Sequence, residues 1–146
     1  MKTDKHSERS ERVEILVVDD ELLIRDLLFD FFTAQGYKTH LAENGKRALE
    51  MLNSISFQTA LVDLKMPEID GIELTAFIAK KMPQIPIIVM TAFPSMDSAI
   101  EAIRCGVYDY VVKPFNIKEL HETVKKAVEE YKARFTGGYK SISSMD

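Results

Sequence analysis

Five short apolar runs alternate along the chain with five stretches of helical pattern, and this alternation constrains the fold more than any other feature. The runs fall at Glu14 to Val18, Lys38 to Ala42, Thr59 to Val62, Pro86 to Met90 and Tyr108 to Val112. Strands that alternate with helices are typical of an α/β protein with a doubly wound parallel sheet. Four runs are nearly all apolar, as in strands covered on both faces, whereas the second alternates and predicts an edge strand.

End signals bound the five helices. The first helix is expected to stop at Gly36, because glycine suits the left-handed position after a helix. Residues that can cap a helix N-terminus precede the other four helices, at Asn44, Asp70, Ser95 and Asn116. Asp70 and Asn116 are each followed three residues later by glutamate, which resembles a capping box.

Length and composition predict one soluble domain with polar ends. The chain has 146 residues, enough for a single core and too few for two full domains. Residues 1–12 lack an apolar stretch and are expected to be disordered, residues 13–134 form the domain, and residues 135–146 form a flexible tail or linker.

Charge and cysteine usage exclude several classes of function. The net charge is -4 and no basic cluster stands out, so direct binding of nucleic acid is not expected. No apolar run approaches the length of a membrane span. Cys105 is the only cysteine, so no intramolecular disulfide forms, which predicts a reducing, cytoplasmic setting. We expect Cys105 to be a small buried filler rather than a catalytic thiol.

Charged residues stand at the ends of three of the predicted strands. Asp19 and Asp20 close the first run, Asp63 closes the third, and Lys113 follows the fifth. Ligands of open α/β sheets bind at the carboxyl ends of the strands, where these side chains would meet. A carboxylate cluster repels itself unless a hard cation occupies it, which predicts Mg²⁺.

This cluster suits phosphoryl transfer onto an aspartate. We predict that Asp63 is the nucleophile, that Asp19 and Asp20 hold Mg²⁺, and that Lys113 attracts the phosphate. Each residue alone has a simpler interpretation: Asp63 as a loop or capping residue, the Asp pair as a stabiliser of the helix dipole, and the lysine as a surface group. A cis bond to Pro114 would aim Lys113 at the crevice.

Two further strand residues are weaker candidates for a role at this site. Thr91 ends the fourth run and could donate its hydroxyl to a phosphoryl oxygen, although it could equally cap a loop. Tyr110 lies in the fifth run, where a tyrosine is commonly part of the packing.

Together these segments resemble the receiver domain of two-component response regulators. The matching motifs are Val17-Val18-Asp19-Asp20-Glu21, Val62-Asp63-Leu64-Lys65-Met66-Pro67 with Asp70-Gly71, Met90-Thr91-Ala92, and Tyr110-Val111-Val112-Lys113-Pro114-Phe115. The similarity covers about residues 13–134, and receivers of the nitrogen-regulator type are the nearest subgroup.

The resemblance implies a flavodoxin-like (βα)5 fold with strand order 2-1-3-4-5. It implies that Asp63 accepts a phosphoryl group from a histidine kinase or phosphotransfer protein, and that the backbone carbonyl of Lys65 joins the three aspartates around Mg²⁺. Thr91 and Lys113 would contact the phosphate, and Tyr110 would change rotamer. The fourth helix, fifth strand and fifth helix would then bind a downstream protein or an output domain, with a phosphorylation-dependent homodimer as a further expectation.

Lys65 and Phe93 suggest slow autodephosphorylation. They lie two residues after Asp63 and Thr91, positions that flank the route of the hydrolytic water in receivers. A long cation and a bulky ring there should hinder water.

Two other classes remain as alternatives. A haloacid-dehalogenase-like phosphatase or phosphotransferase would also use an aspartyl phosphate, but it needs a second acid where this chain has Lys65. A flavodoxin-like binding module would need a phosphate-binding loop after the first strand, where Asp19 and Asp20 stand instead. A receiver that is never phosphorylated is disfavoured because every charged site position is present.

Overall fold

The sheet has the predicted topology. The computed structural model describes the backbone of residues 12–145 and the side chains of residues 12–134. Its strands are all parallel and lie in the order β2-β1-β3-β4-β5. Their bounds are Glu14–Val18 (β1), Lys38–Ala42 (β2), Thr59–Asp63 (β3), Ile87–Thr91 (β4) and Asp109–Val112 (β5). The prediction that residues 1–12 are disordered concerns a segment that, except for Arg12, lies outside the described residues.

Four helices connect the strands and a fifth follows β5; the last four begin directly after their predicted capping residues. They are α1 Leu22–Ala34, α2 Gly45–Ser54, α3 Gly71–Lys81, α4 Met96–Cys105 and α5 Ile117–Met145. The side chains of Asn44, Asp70, Ser95 and Asn116 each accept a hydrogen bond from a backbone N–H three residues later, as helix caps do. Gly36 follows α1 with φ +97°, as predicted.

The last helix is longer than its sequence pattern suggests. We expected a tail from residue 135 onward, whereas the backbone is helical through Gly137 and Gly138 to Met145. The division of the chain into a domain and a linker stays a prediction. Among the described residues, no helix is both long enough and apolar enough to cross a membrane.

Alternate residues of the central strands build two separate cores. On one face, Ile15, Val17 and Leu61 pack with side chains of α1 and α5, including Phe32 and Val124. The other face has a second set of strand residues that packs against α2, α3 and α4; its members include Leu16, Val18, Val62, Val89, Leu52, Leu74, Ile78 and Ala102. This period of two, with helices on both faces, explains why β1, β3 and β4 contain hardly any polar residue.

The edge strand β5 and the helix α4 are less deeply packed. Ala102 is the only fully buried residue of α4. Val112 of β5 is 45% exposed although it is apolar. Cys105, which we expected to be buried, is half-buried at the end of α4. Burial raises the pKa of its thiol, which disfavours the reactive thiolate.

Candidate functional site

The strand ends bring the predicted charged residues together at the carboxyl edge of the sheet. Asp19 follows β1 directly, and its N–H donates to the Ala42 carbonyl at the end of β2. Asp63 is the last residue of β3 and is paired in register with Met90. The N–H of Lys113 donates to the Thr91 carbonyl at 2.8 Å, which places the lysine beside the end of β4.

A buried ion pair lies at the centre of this edge. The Lys113 ammonium is 2.7 Å from Asp19 Oδ2 and 3.6 Å from Asp63 Oδ2, with the lysine side chain only 7% exposed. Burial tends to lower the pKa of Lys113, but hydrogen bonds to Asp19 and Glu21 outweigh it and raise the pKa above its usual value. The lysine is therefore charged at neutral pH. The predicted cis bond before Pro114 is present.

Asp63 is a buried carboxylate that accepts one backbone hydrogen bond. Its residue is 3% exposed, and its Oδ1 accepts a hydrogen bond from the Lys65 N–H at 3.3 Å. Burial and the negative charge of Asp19 raise the pKa of Asp63 to about 6, against the weaker opposing effect of Lys113. Burial likewise raises the pKa of Asp19. A second cation in the cluster would remove this electrostatic cost.

The donor set fits a magnesium ion. Asp19, Asp20 and Asp63 each offer one carboxylate oxygen, and these oxygens lie within 4.8 Å of one another. Mg²⁺ prefers oxygen ligands and keeps several water molecules, and the exposed Asp20 leaves the cluster open to water on one side. The contribution of the Lys65 carbonyl to such an ion stays a prediction.

A small cavity opens above Asp63. It has a volume of about 190 Å³, and its lining includes Asp63, Lys113, Lys65 and Phe93. The Phe93 ring is 68% exposed at this opening. Thr91 is fully buried at the end of β4, and its Oγ1 accepts a hydrogen bond from the Phe93 N–H at 3.0 Å. The cavity thus reaches the predicted nucleophile Asp63, the lysine and the two residues that we expect to obstruct water.

Tyr110 contacts helix α4. Its hydroxyl is half-buried and lies 2.8 Å from Ser98 Oγ, in the first turn of α4. Ser98 Oγ also lies 3.0 Å from Ser95 Oγ, and the Ser98 N–H donates to that same atom. The predicted switch residue is therefore linked to α4, a helix of the predicted partner-binding face.

Three residues that support the site were not singled out as such from the sequence. Glu21 Oε1 accepts a hydrogen bond from the Lys113 ammonium at 2.9 Å. Arg25 of α1 donates to the Asp19 carbonyl at 2.8 Å. Gly71 lies against the backbone of Asp63. Glu21 and Gly71 both lie in the motifs that carry the family resemblance, which was the available signal for them, whereas the contact of Arg25 depends on the packed fold.

Two relatives match most of this chain in sequence. This chain is 42% identical over 115 residues to Regulatory protein AtoC of Escherichia coli strain K12, covering 79% of this chain and 25% of AtoC. It is 37% identical over 113 residues to Sporulation initiation phosphotransferase F of Bacillus subtilis strain 168, covering 77% of this chain and 91% of that protein. The chain thus spans about a quarter of AtoC but nearly all of the sporulation protein.

Solved structures agree in fold. The response regulator TrrA of Thermotoga maritima, determined in complex with Mg(2+)-BeF, superposes with a TM-score of 0.72 at 40% identity, covering 79% of this chain and 98% of that one. The family model described as the response regulator receiver domain matches residues 15–125. By this match and by the acidic site at the carboxyl edge of its sheet, the chain belongs to the response regulator receiver domain family.

Proposed function

We propose that this domain is a signalling switch that is set by phosphorylation of Asp63. The observation that carries the proposal is the position of Asp63: a buried carboxylate that faces a cavity, with two aspartates and the Lys113 ammonium beside it. Receivers of two-component response regulators accept a phosphoryl group on an aspartate, and Asp63 is the aspartate that ends β3 in this chain.

In the proposed reaction, a carboxylate oxygen of Asp63 attacks the phosphorus of a phosphohistidine on a histidine kinase or phosphotransfer protein. The new P–O bond forms while the bond from phosphorus to the histidine nitrogen breaks, and that nitrogen keeps the electron pair. Lys113 lies close enough to Asp63 to balance charge on the phosphoryl oxygens. We assign to the Thr91 hydroxyl a hydrogen bond to one of these oxygens.

Asp19, Asp20, Asp63 and the carbonyl of Lys65 would hold Mg²⁺. When bound, the ion neutralises the negative charge that otherwise opposes attack by a carboxylate on a phosphoryl group. The complex of TrrA with Mg(2+)-BeF supports this assignment, because it contains Mg²⁺ together with beryllofluoride, which stands in for a phosphoryl group.

The phosphorylated state would be transmitted through α4. The hydroxyl of Tyr110 contacts Ser98 of this helix, and the loose packing of α4 suits an element that has two positions. A face built from α4, β5 and α5 would then bind a downstream protein, an output domain or a second copy of the chain. The exposed side chains of Met96, Ile103 and Val112 support an apolar contact there.

A turnover phosphatase is the weaker alternative. Such an enzyme needs a carboxylic acid two residues after the nucleophile to protonate the leaving group, and this chain has the ammonium of Lys65 instead. We therefore propose no activity on an external phosphate ester, only acceptance and slow loss of the domain's own phosphoryl group in a cytoplasmic setting.

The test is incubation with acetyl phosphate and Mg²⁺, followed by intact mass measurement. Wild type should gain one phosphoryl mass and Asp63→Asn should gain none, whereas Asp26→Asn, a change at an exposed aspartate of α1, should behave as wild type. Size-exclusion chromatography of the same samples would show whether phosphorylation drives dimerisation. No mass gain by wild type, or an equal gain by Asp63→Asn, would contradict the proposal.

A further inference from the structure

Glu21 holds the site lysine without belonging to the metal cluster. Its Oε1 lies 2.9 Å from the Lys113 ammonium, close to the 2.7 Å between that ammonium and Asp19. The three clustered metal-ligand candidates are Asp19, Asp20 and Asp63, and Glu21 is not among them. Glu21 therefore contacts the lysine from outside the cluster of three aspartates.

The contacts of Glu21 leave its side chain free to release the lysine. Its backbone N–H donates to Asp19 Oδ1 at 2.8 Å, so the main chain is held in place. The residue is the N-cap of α1, yet its side chain makes no capping hydrogen bond. The side chain is 57% exposed, so its carboxylate can return to water at little cost when the ammonium leaves.

A phosphoryl group on Asp63 would compete for the same ammonium. Lys113 lies 3.6 Å from Asp63 Oδ2 and closer to Asp19 and Glu21, so its best hydrogen bonds in this structure go to other carboxylates. Glu21 also lines the cavity through which an anionic donor must approach Asp63. A carboxylate at this position opposes phosphorylation in two ways. It binds the lysine that the phosphoryl group would otherwise bind, and it repels the incoming anionic donor.

We propose that Glu21 is a positioning residue that holds the Lys113 ammonium in the unphosphorylated state and so opposes phosphorylation of Asp63. This inference rests on the proposed function and adds a restraint to the same site. On transfer, the Asp63 oxygen forms a P–O bond, the bond from phosphorus to the donor breaks, and the donor leaves with the electron pair. The Lys113 ammonium leaves Glu21 and contacts a phosphoryl oxygen instead. Because Glu21 contacts the ammonium only in the unphosphorylated state, it shifts the population toward that state.

The test compares Glu21→Gln and Glu21→Asp with wild type. Glutamine keeps the shape and removes the charge, whereas aspartate keeps the charge and withdraws it from the lysine by one methylene. The probe is beryllofluoride with Mg²⁺, and apparent affinity is measured by NMR titration of backbone amides. Glu21→Gln should bind the probe about fivefold more tightly, the size expected for loss of a partly exposed ion pair. Glu21→Asp should also bind it more tightly, but by a smaller factor, because it loses the contact with the lysine and keeps the negative charge. The rate of phosphorylation by acetyl phosphate should rise by a similar factor.

The matched control is Glu122→Gln on α5. Glu122 is 62% exposed and pairs with Lys125 at 3.0 Å, so this change removes one surface charge and one ion pair away from the cavity. It should leave the affinity as in wild type. Equal tightening in the control, or no tightening by Glu21→Gln or by Glu21→Asp, would overturn the inference. If wild type neither binds the probe nor gains phosphoryl mass, the proposed function itself fails.

Discussion

A Cβ atom on Gly71 would overlap the carbonyl oxygen of Asp63 and lie 2.5 Å from the Cα of Leu64. The Gly71 N–H also donates to the Leu64 carbonyl at 3.0 Å. Glycine at the start of α3 therefore lets the loop that follows Asp63 fold tightly against that residue. The neighbours are backbone atoms, which cannot move aside as a flexible side chain would.

Gly71→Ala should lower the free energy of unfolding by about 2 kcal/mol or more and slow phosphorylation, because the loop after Asp63 must shift. Urea denaturation and the mass assay measure the two effects. Gly106→Ala is the control: its φ of +80° penalises alanine, but no atom lies within 4 Å of the added Cβ. It should lose stability without slowing phosphorylation, and equal slowing by both variants would contradict the argument.

Lys113→Met should destabilise the metal-free protein by about 3 kcal/mol, because the fully buried Asp19 loses its cation. The loss should be largest at high pH and shrink as Asp19 protonates. Added Mg²⁺ should recover part of it by supplying positive charge. Urea denaturation with and without Mg²⁺ measures these changes. Lys125→Met, which breaks an exposed pair with Glu122, should change stability little.

Asp63→Asn should stabilise the metal-free protein at neutral pH. The folded-state pKa of about 6 exceeds the ordinary 3.8, so the native state binds more protons than the unfolded state between these values, and stability falls as pH rises through them. The gain from Asp63→Asn should be near zero below pH 4 and reach about 2–3 kcal/mol above pH 6. Denaturation across this pH range tests the sign. A gain that does not grow with pH would be inconsistent with a raised pKa.

Tyr110→Phe should cost about 1 kcal/mol, because it removes the half-buried hydrogen bond to Ser98. Ser98→Ala should cost more, because it also removes the contacts of the Ser98 hydroxyl with Ser95. The double variant should cost hardly more than Ser98→Ala alone, which a double-mutant cycle measures. Hydrogen exchange of amides in α4 should speed up in all three variants. Tyr108→Phe is the control, because among the described residues no hydrogen bond of the Tyr108 hydroxyl is found. Additive losses would mean that the two hydroxyls act independently.

Lys65→Ala and Phe93→Ala should shorten the phosphoryl lifetime, together by about tenfold, because both side chains line the opening through which water reaches Asp63. Loss of phosphoryl mass after removal of the donor gives the rate. Lys46→Ala, at an exposed residue outside this cavity, is the control. Unchanged lifetimes in both site variants would show that neither side chain obstructs the water.

Much of the fold follows from local signals. The period-two strands, the capping residues Asn44, Asp70 and Ser95, and Gly36 after α1 all describe interactions within a few residues, and the structure has each of them. The continuation of α5 through Gly137 and Gly138 has no such local signal, because glycine and small polar residues weaken a helix without forbidding it.

The sequence predicted which residues form the candidate site, but it did not predict all of their contacts. Strand ends identified Asp19, Asp20, Asp63 and Lys113, and the structure brings them together. The contact of Glu21 with Lys113 was not predicted, because a hydrogen bond between residues 92 positions apart produces no periodic pattern in the sequence.

The sequence by itself determined the parallel α/β sheet and the charges at its carboxyl edge. Apolar runs predict strands that are buried on both faces, and the charged residues directly follow these runs. Only the tertiary structure decided which of the carboxylates the Lys113 ammonium contacts most closely. Lys113 contacts Asp19 and Glu21 more closely than Asp63, and this preference arises from the packed geometry of loops that are far apart in the chain.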